Sequence, residues 1–149
     1  MKVVQLGCGV TGLVCAEHLE KHPKVDEIVL ADKQIGPAES FVERAGNEKT
    51  STQKTDASKP SDLKKLLKDC DLLISSVPSE MNPKMLDVAL AHGVNYADFT
   101  IPLETIPKFD DINKACECAG ITALTAMGSD PGISDVFAMV GASKLDAVQ

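Results

Sequence analysis

Gly7, Gly9 and Gly12 stand in the hexapeptide GCGVTG, at the spacing G-x-G-x-x-G, directly behind the apolar run KVVQL. Each glycine has its own use if a strand ends there and a helix begins. Gly7 permits a tight turn, Gly9 lets backbone approach a pyrophosphate, and Gly12 lets the helix pack closely on the strand. The opening residues of that helix, Val10 and Thr11, would carry N–H groups without partners and the positive end of the helix dipole, both suited to an anion. Asp32 stands twenty residues beyond Gly12, after the run EIVLA, where an acid accepts the ribose hydroxyls of a dinucleotide. Together these residues point to dinucleotide binding, although glycines alone would also make an ordinary strand-to-helix turn. An acid at that place repels a 2′-phosphate and so favours NAD over NADP. Lys33 admits two readings: a ligand for such a phosphate, which would make NADP possible, or an exposed loop lysine. Cys8 reads as a small residue filling the loop.

These residues need a scaffold that carries them to one edge, and the hydrophobic pattern supplies it. Short β-branched runs at 2–6, 27–31, 50–55, 71–77, 94–99 and 121–127 read as strands. Amphipathic segments at 10–22, 37–45, 61–68 and 107–119 read as helices, as does a segment running from Asn82 to Gly93, with Asn82 as its N-cap and Pro83 in its first turn. Gly46, Gly93 and Gly120 mark helix ends. The third strand is polar and belongs at a sheet edge. Six strands alternating with helices make a parallel sheet covered on both faces, with right-handed crossovers. The expected fold is α/β, a doubly wound Rossmann sheet in the order 3-2-1-4-5-6, with residues 1–149 as one nucleotide-binding domain.

Composition narrows the partners. A net charge of −7 with lysines dispersed among acids argues against nucleic acid and anionic membrane surfaces. No apolar stretch approaches the roughly 18 residues of a membrane span. MKVVQLGCG is too short an apolar run for a signal peptide, so a cytoplasmic protein is expected. The five cysteines are an odd number without a C-x-x-C pair, and His18, His22 and His92 lie far from them in sequence. Reduced thiols and no metal site are the expectation.

TAMGSDPGISD, residues 125–135, joins a proline of fixed φ to a glycine directly behind an aspartate. Read locally, Asp130 caps a helix, Pro131 takes its first position and Gly132 keeps the first turn bare. That stretch, with GCGVTG, ADK at 31–33, DLLISSVPSEMNPKMLDVALAHGVNYADFT at 71–100 and GITALTAMGSDPGISD at 120–135, resembles the saccharopine dehydrogenase-like oxidoreductases. That family includes saccharopine reductases, lysine 6-dehydrogenases and carboxynorspermidine synthases.

The resemblance implies the cofactor half of an enzyme that moves hydride between NAD(P) and the C–N bond of an amino acid or amine of the lysine or saccharopine type. It implies Asp130 as an acid/base or amine-orienting group, with Asp98 the second candidate; capping and a strand-end turn are their respective structural readings. Ser75, Ser76, Val77 and Pro78, ending the fourth strand, fall where such domains contact ribose and nicotinamide. Gly128 belongs to the sixth turn, and Asp56 would lie near the adenine. Family members continue into a substrate domain absent from this chain, which also forms a homodimer interface; the terminal KLDAVQ carries no closing signal. Two other readings stand beside this one: another two-domain reductase of the homoserine or dihydrodipicolinate type, against which GSDPGISD argues, and an NAD-sensing module without chemistry.

Overall fold

A computed structural model describes residues 1–46 and 48–147; the last two residues of KLDAVQ lie outside the described residues. The chain alternates β1 (Lys2–Leu6), α1 (Val10–Glu20), β2 (Glu27–Asp32), α2 (Gly36–Ala45), β3 (Thr50–Lys54), α3 (Pro60–Leu66), β4 (Leu72–Ser75), α4 (Asn82–His92), β5 (Asn95–Asp98), α5 (Phe109–Ala119), β6 (Ala123–Leu124) and α6 (Ile133–Ala142). The strands form one six-stranded sheet in the order β3-β2-β1-β4-β5-β6. All pairs are parallel. This is the expected doubly wound sheet, and β3, polar in sequence, does take an edge.

Strand alternation divides the apolar residues between two cores. Val4, Leu6, Val29, Leu73 and Tyr96 pack with Met85 and Leu86 of α4 on one face. Val3, Ile28, Leu30 and Ile74 pack with Ala16 of α1 and Phe41 of α2 on the other. Each large side chain so buried contributes about 1.5–3 kcal/mol. The register matters more for function. Leu6 lies beside Ala31 and Ser75, Ser75 beside Asp98, and Asp32 beside Lys54. Parallel pairing therefore carries the C-terminal ends of five strands, and the loops after them, to one rim.

Helices α2, α4 and α5 end on Gly46, Gly93 and Gly120 in the left-handed conformation, as their positions suggest. Asn82 departs from expectation. It lies inside α4, behind the N-cap Met81, and is buried. Its side-chain Oδ1 accepts the Ser75 hydroxyl at 2.8 Å and its side-chain Nδ2 donates to the Thr100 carbonyl. A tertiary bridge between β4 and the loop after β5 outcompetes the local cap. The sixth strand is also shorter than its apolar run: only Ala123–Leu124 pairs with β5, and beyond it Asp98 takes the N–H groups of Ala126 and Met127.

Candidate functional site

The three glycines of the first loop do three different things. Gly7 has φ +90, donates its N–H to the Ala31 carbonyl at 2.8 Å, and a Cβ there would sit 2.7 Å from the Ser76 carbonyl oxygen. A Cβ on Gly12 would lie 2.0 Å from the Gly7 carbonyl oxygen, so α1 can approach β1 only with glycine there. Gly9 is the N-cap of α1, and a Cβ on it would meet nothing within 4 Å. Its missing side chain leaves open space beside the first, uncapped turn of a helix, the shape that receives a phosphate.

That space is the end of a groove of about 330 Å³, walled by Gly7, Gly9, Asp32, Lys33, Asp56 and the Ser76–Val77–Pro78 segment. The Asp32 carboxylate is fixed at its rim: one oxygen accepts the Cys8 N–H and the other the Gln34 N–H, each at 2.7 Å. Lys33 reaches Asp56 at 3.4 Å. The Ser58 hydroxyl and N–H hold the Asp56 carboxyl down at about 2. Cys8 is buried, and burial with the Asp32 charge pushes its thiol up to about 12, the mark of an inert packing residue.

A second cavity, about 700 Å³, is bordered by Thr11, Thr100, Met127, Gly128, Asp130 and Ile133. Gly9 borders the first cavity and Thr11 the second. Gly128 is forced by packing, since its Cβ would meet the Phe99 carbonyl oxygen at 2.4 Å. The turn that follows does not have the expected shape. Gly132, not Asp130, is the N-cap of α6, Pro131 precedes the helix, and the Asp130–Pro131 peptide is cis. The Gly132 N–H is held by the Asp135 carboxylate at 3.0 Å. Asp130 is left exposed, accepting the Ser134 hydroxyl at 2.9 Å. The capping task falls to Asp135, and Asp130 is separated from it.

Other expected residues are placed less simply. Ser75 is buried and gives its hydroxyl to Asn82, so it lines neither cavity. Its position at the end of β4 is as expected, but the strand's alternation turns its side chain into the core. Val10 is exposed at the start of α1 and borders neither cavity. Asp98 also reaches neither. It is buried, one oxygen accepts the Ala126 N–H at 2.7 Å, and the other has no partner among the described residues. Its carbonyl accepts the Met127 N–H, so Asp98 clamps the approach to the Asp130 turn.

Burial pushes the Asp98 carboxyl up, against the lowering effect of the Ala126 N–H. The folded state therefore binds its proton more tightly than the unfolded chain does. Stability on this account is greatest below about pH 4, falls as pH rises toward the raised folded value, and stays reduced at neutral pH. Asp98→Asn retains an acceptor for Ala126 but does not titrate. Between pH 4.5 and 7 the unaltered chain should lose more melting temperature than Asp98→Asn, at about 2–4 °C per kcal/mol. Equal slopes in thermal melts would remove the ionisation argument.

Sequence reasoning missed Gln5. It is fully buried in β1, and its amide donates to the Gly7 carbonyl at 3.2 Å and the Ser76 hydroxyl at 2.8 Å, bracing both walls of the groove. A polar residue inside KVVQL was the available signal. Thr55, Ser58 and Met81 also line the groove. The D-x-S spacing of Asp56 and Ser58 hints at a turn, whereas nothing local marks Met81.

The Saccharopine dehydrogenase NADP binding domain family matches residues 3–124. This chain belongs to that family. Its fold is accordingly that of the NADP-binding domain of saccharopine dehydrogenase-family oxidoreductases. Carboxynorspermidine synthase of Vibrio cholerae is 27% identical over 97% of this chain and 40% of its own length. Carboxyaminopropylagmatine dehydrogenase of Synechocystis is 31% identical over 91% of this chain and 36% of its own. Among solved structures, apo saccharopine dehydrogenase (L-Glu forming) from Saccharomyces cerevisiae superposes with a TM-score of 0.80 at 22% identity, over 96% of this chain and 31% of that one. The chain thus spans 36–40% of the length of these two curated relatives. Among the described residues, no helix is long and apolar enough to cross a membrane, and no group of three or more His, Cys, Asp or Glu side chains converges.

Proposed function

We propose that this chain is the cofactor half of an oxidoreductase that exchanges hydride between a nicotinamide dinucleotide and the C–N bond of an amino acid or amine. The observation that carries the reading is Gly9: its absent side chain opens the groove at an uncapped helix start, with the Asp32 carboxylate fixed at the same groove's rim. In this reading Gly9, Thr11 and the first turn of α1 hold the pyrophosphate. Asp32 accepts ribose hydroxyls, and Ser76, Val77 and Pro78 lie along the cofactor as it crosses toward the second cavity. The bound cofactor supplies a hydride donor or acceptor. Asp130, exposed beside Gly128, orients the substrate ammonium or takes its proton.

Most contacts to the substrate, a lysine- or saccharopine-type amine, come from chain outside these residues, as does a homodimer interface. Val136, Phe137, Met139 and Val140 of α6 are exposed, an apolar surface of the kind that a second domain covers. The five cysteines are unpaired, in keeping with a reducing cytoplasm.

Calorimetric titration with NAD tests the reading. Asp32→Ala should weaken NAD by about 1–2 kcal/mol, roughly 5- to 30-fold in Kd. Because Asp32 also anchors the Cys8 N–H, the melting temperature must be followed alongside. No binding of NAD or NADP by the unaltered chain would sink the proposal.

A further inference from the structure

Lys33 and Asp56 meet at the rim of the Asp32 groove, brought there by neighbouring strands. Asp32 of β2 lies beside Lys54 of β3, and the Thr55 N–H donates to the Asp32 carbonyl at 2.9 Å. This ladder sets the bases of the two side chains, and the Lys33 Nζ comes 3.4 Å from the Asp56 Oδ2. The partners are unequally held. The other Asp56 oxygen accepts the Ser58 N–H at 3.1 Å and the Ser58 hydroxyl at 2.7 Å, and the Asp56 side chain is only 19% exposed. The Lys33 side chain is 73% exposed, and the carboxylate is its ion-pair partner.

Lys33 is the one cationic side chain among the described residues lining this groove, against the two carboxylates of Asp32 and Asp56. A 2′-phosphate on the ribose beside Asp32 would bring about two further negative charges. A free ammonium at Lys33 would receive it; an ammonium already paired with Asp56 receives it poorly.

We propose that Asp56 sets the cofactor preference, holding Lys33 as its own counter-ion and so making the groove select NAD over NADP. The inference rests on the nucleotide reading given above. The family carries NADP binding in its description, whereas here the basic residue beside Asp32 is already paired with a carboxylate. Asp56 is thus a specificity residue acting through Lys33. Exposed pairs are weak in stability, but a charge a few ångströms from a phosphate alters affinity directly.

The test is calorimetry with NAD and NADP on four proteins: the unaltered chain, Asp56→Asn, Lys33→Ala and the double variant. Asn keeps an acceptor for Ser58, and melting temperatures check that the turn survives. In Asp56→Asn, the ratio of NADP to NAD affinity should rise about tenfold. The double variant should lose that gain, because the gain passes through Lys33. An unchanged NADP-to-NAD ratio in Asp56→Asn, a gain that persists without Lys33, or a preference for NADP in the unaltered chain would each overturn the proposal while leaving nucleotide binding intact. Failure of both nucleotides to bind the unaltered chain would overturn the nucleotide reading and this inference together.

Discussion

Gly9→Val should yield a folded protein that binds neither NAD nor NADP, with Kd raised at least about 100-fold. Nothing in the fold opposes the new side chain: Gly9 has φ −74, an ordinary value for any residue, and its Cβ position is empty to 4 Å. Valine is a poorer N-cap than glycine, which costs about 1 kcal/mol or less. The valine methyl groups instead occupy the space that a pyrophosphate needs against the first turn of α1. Gly12→Ala is the contrasting control. Its Cβ would lie 2.0 Å from the backbone oxygen of Gly7, so β1 and α1 must separate before it fits. That variant should lose about 1–3 kcal/mol or more of stability, and binding with it. Thermal melts and calorimetry on both proteins separate a filled site from a broken fold. A folded Gly9→Val that binds NAD normally would exclude this loop as the phosphate site.

In an enzyme carrying this domain together with its substrate-binding remainder, Asp130→Asn should lower kcat/KM by roughly 100-fold or more, the scale of a lost acid–base group. The geometry sharpens the expectation. Asp130 borders the second cavity and is not the cap of α6, so neither Asp130→Asn nor Asp130→Ala should cost much stability. Asp135 holds the Gly132 N–H, and Asp135→Ala should cost about 1 kcal/mol while leaving turnover in the folded fraction nearly normal. A fall in melting temperature without a fall in kcat/KM for Asp130→Ala would return Asp130 to a structural role. Normal turnover by Asp130→Asn would move the acid–base group to another part of the enzyme.

The sheet order, the loop glycines and Asp32 were legible because their causes are local or periodic. A buried strand must be apolar on both faces, a helix must repeat near 3.6 residues, and a phosphate turn needs glycine at fixed offsets. The same limits explain the misreadings. Asn82-Pro83 does open a helix, but the cap role read for Asn82, like that read for Asp130, is judged from immediate neighbours alone. Which donor or acceptor a side chain meets depends on distant parts of the chain: the Ser75 hydroxyl and the Thr100 carbonyl claim Asn82, while Gly132, packed against Gly128, takes the cap position of α6 in place of Asp130. Asp98 reads equally well as catalytic or structural until its burial is known. Local pattern alone specified the scaffold and pointed to the glycine loop as the candidate phosphate site. The pairing of Lys33 with Asp56, the inward turn of Ser75 and the separation of cap from candidate acid were decided by tertiary structure, because each depends on which strands and loops become neighbours in space.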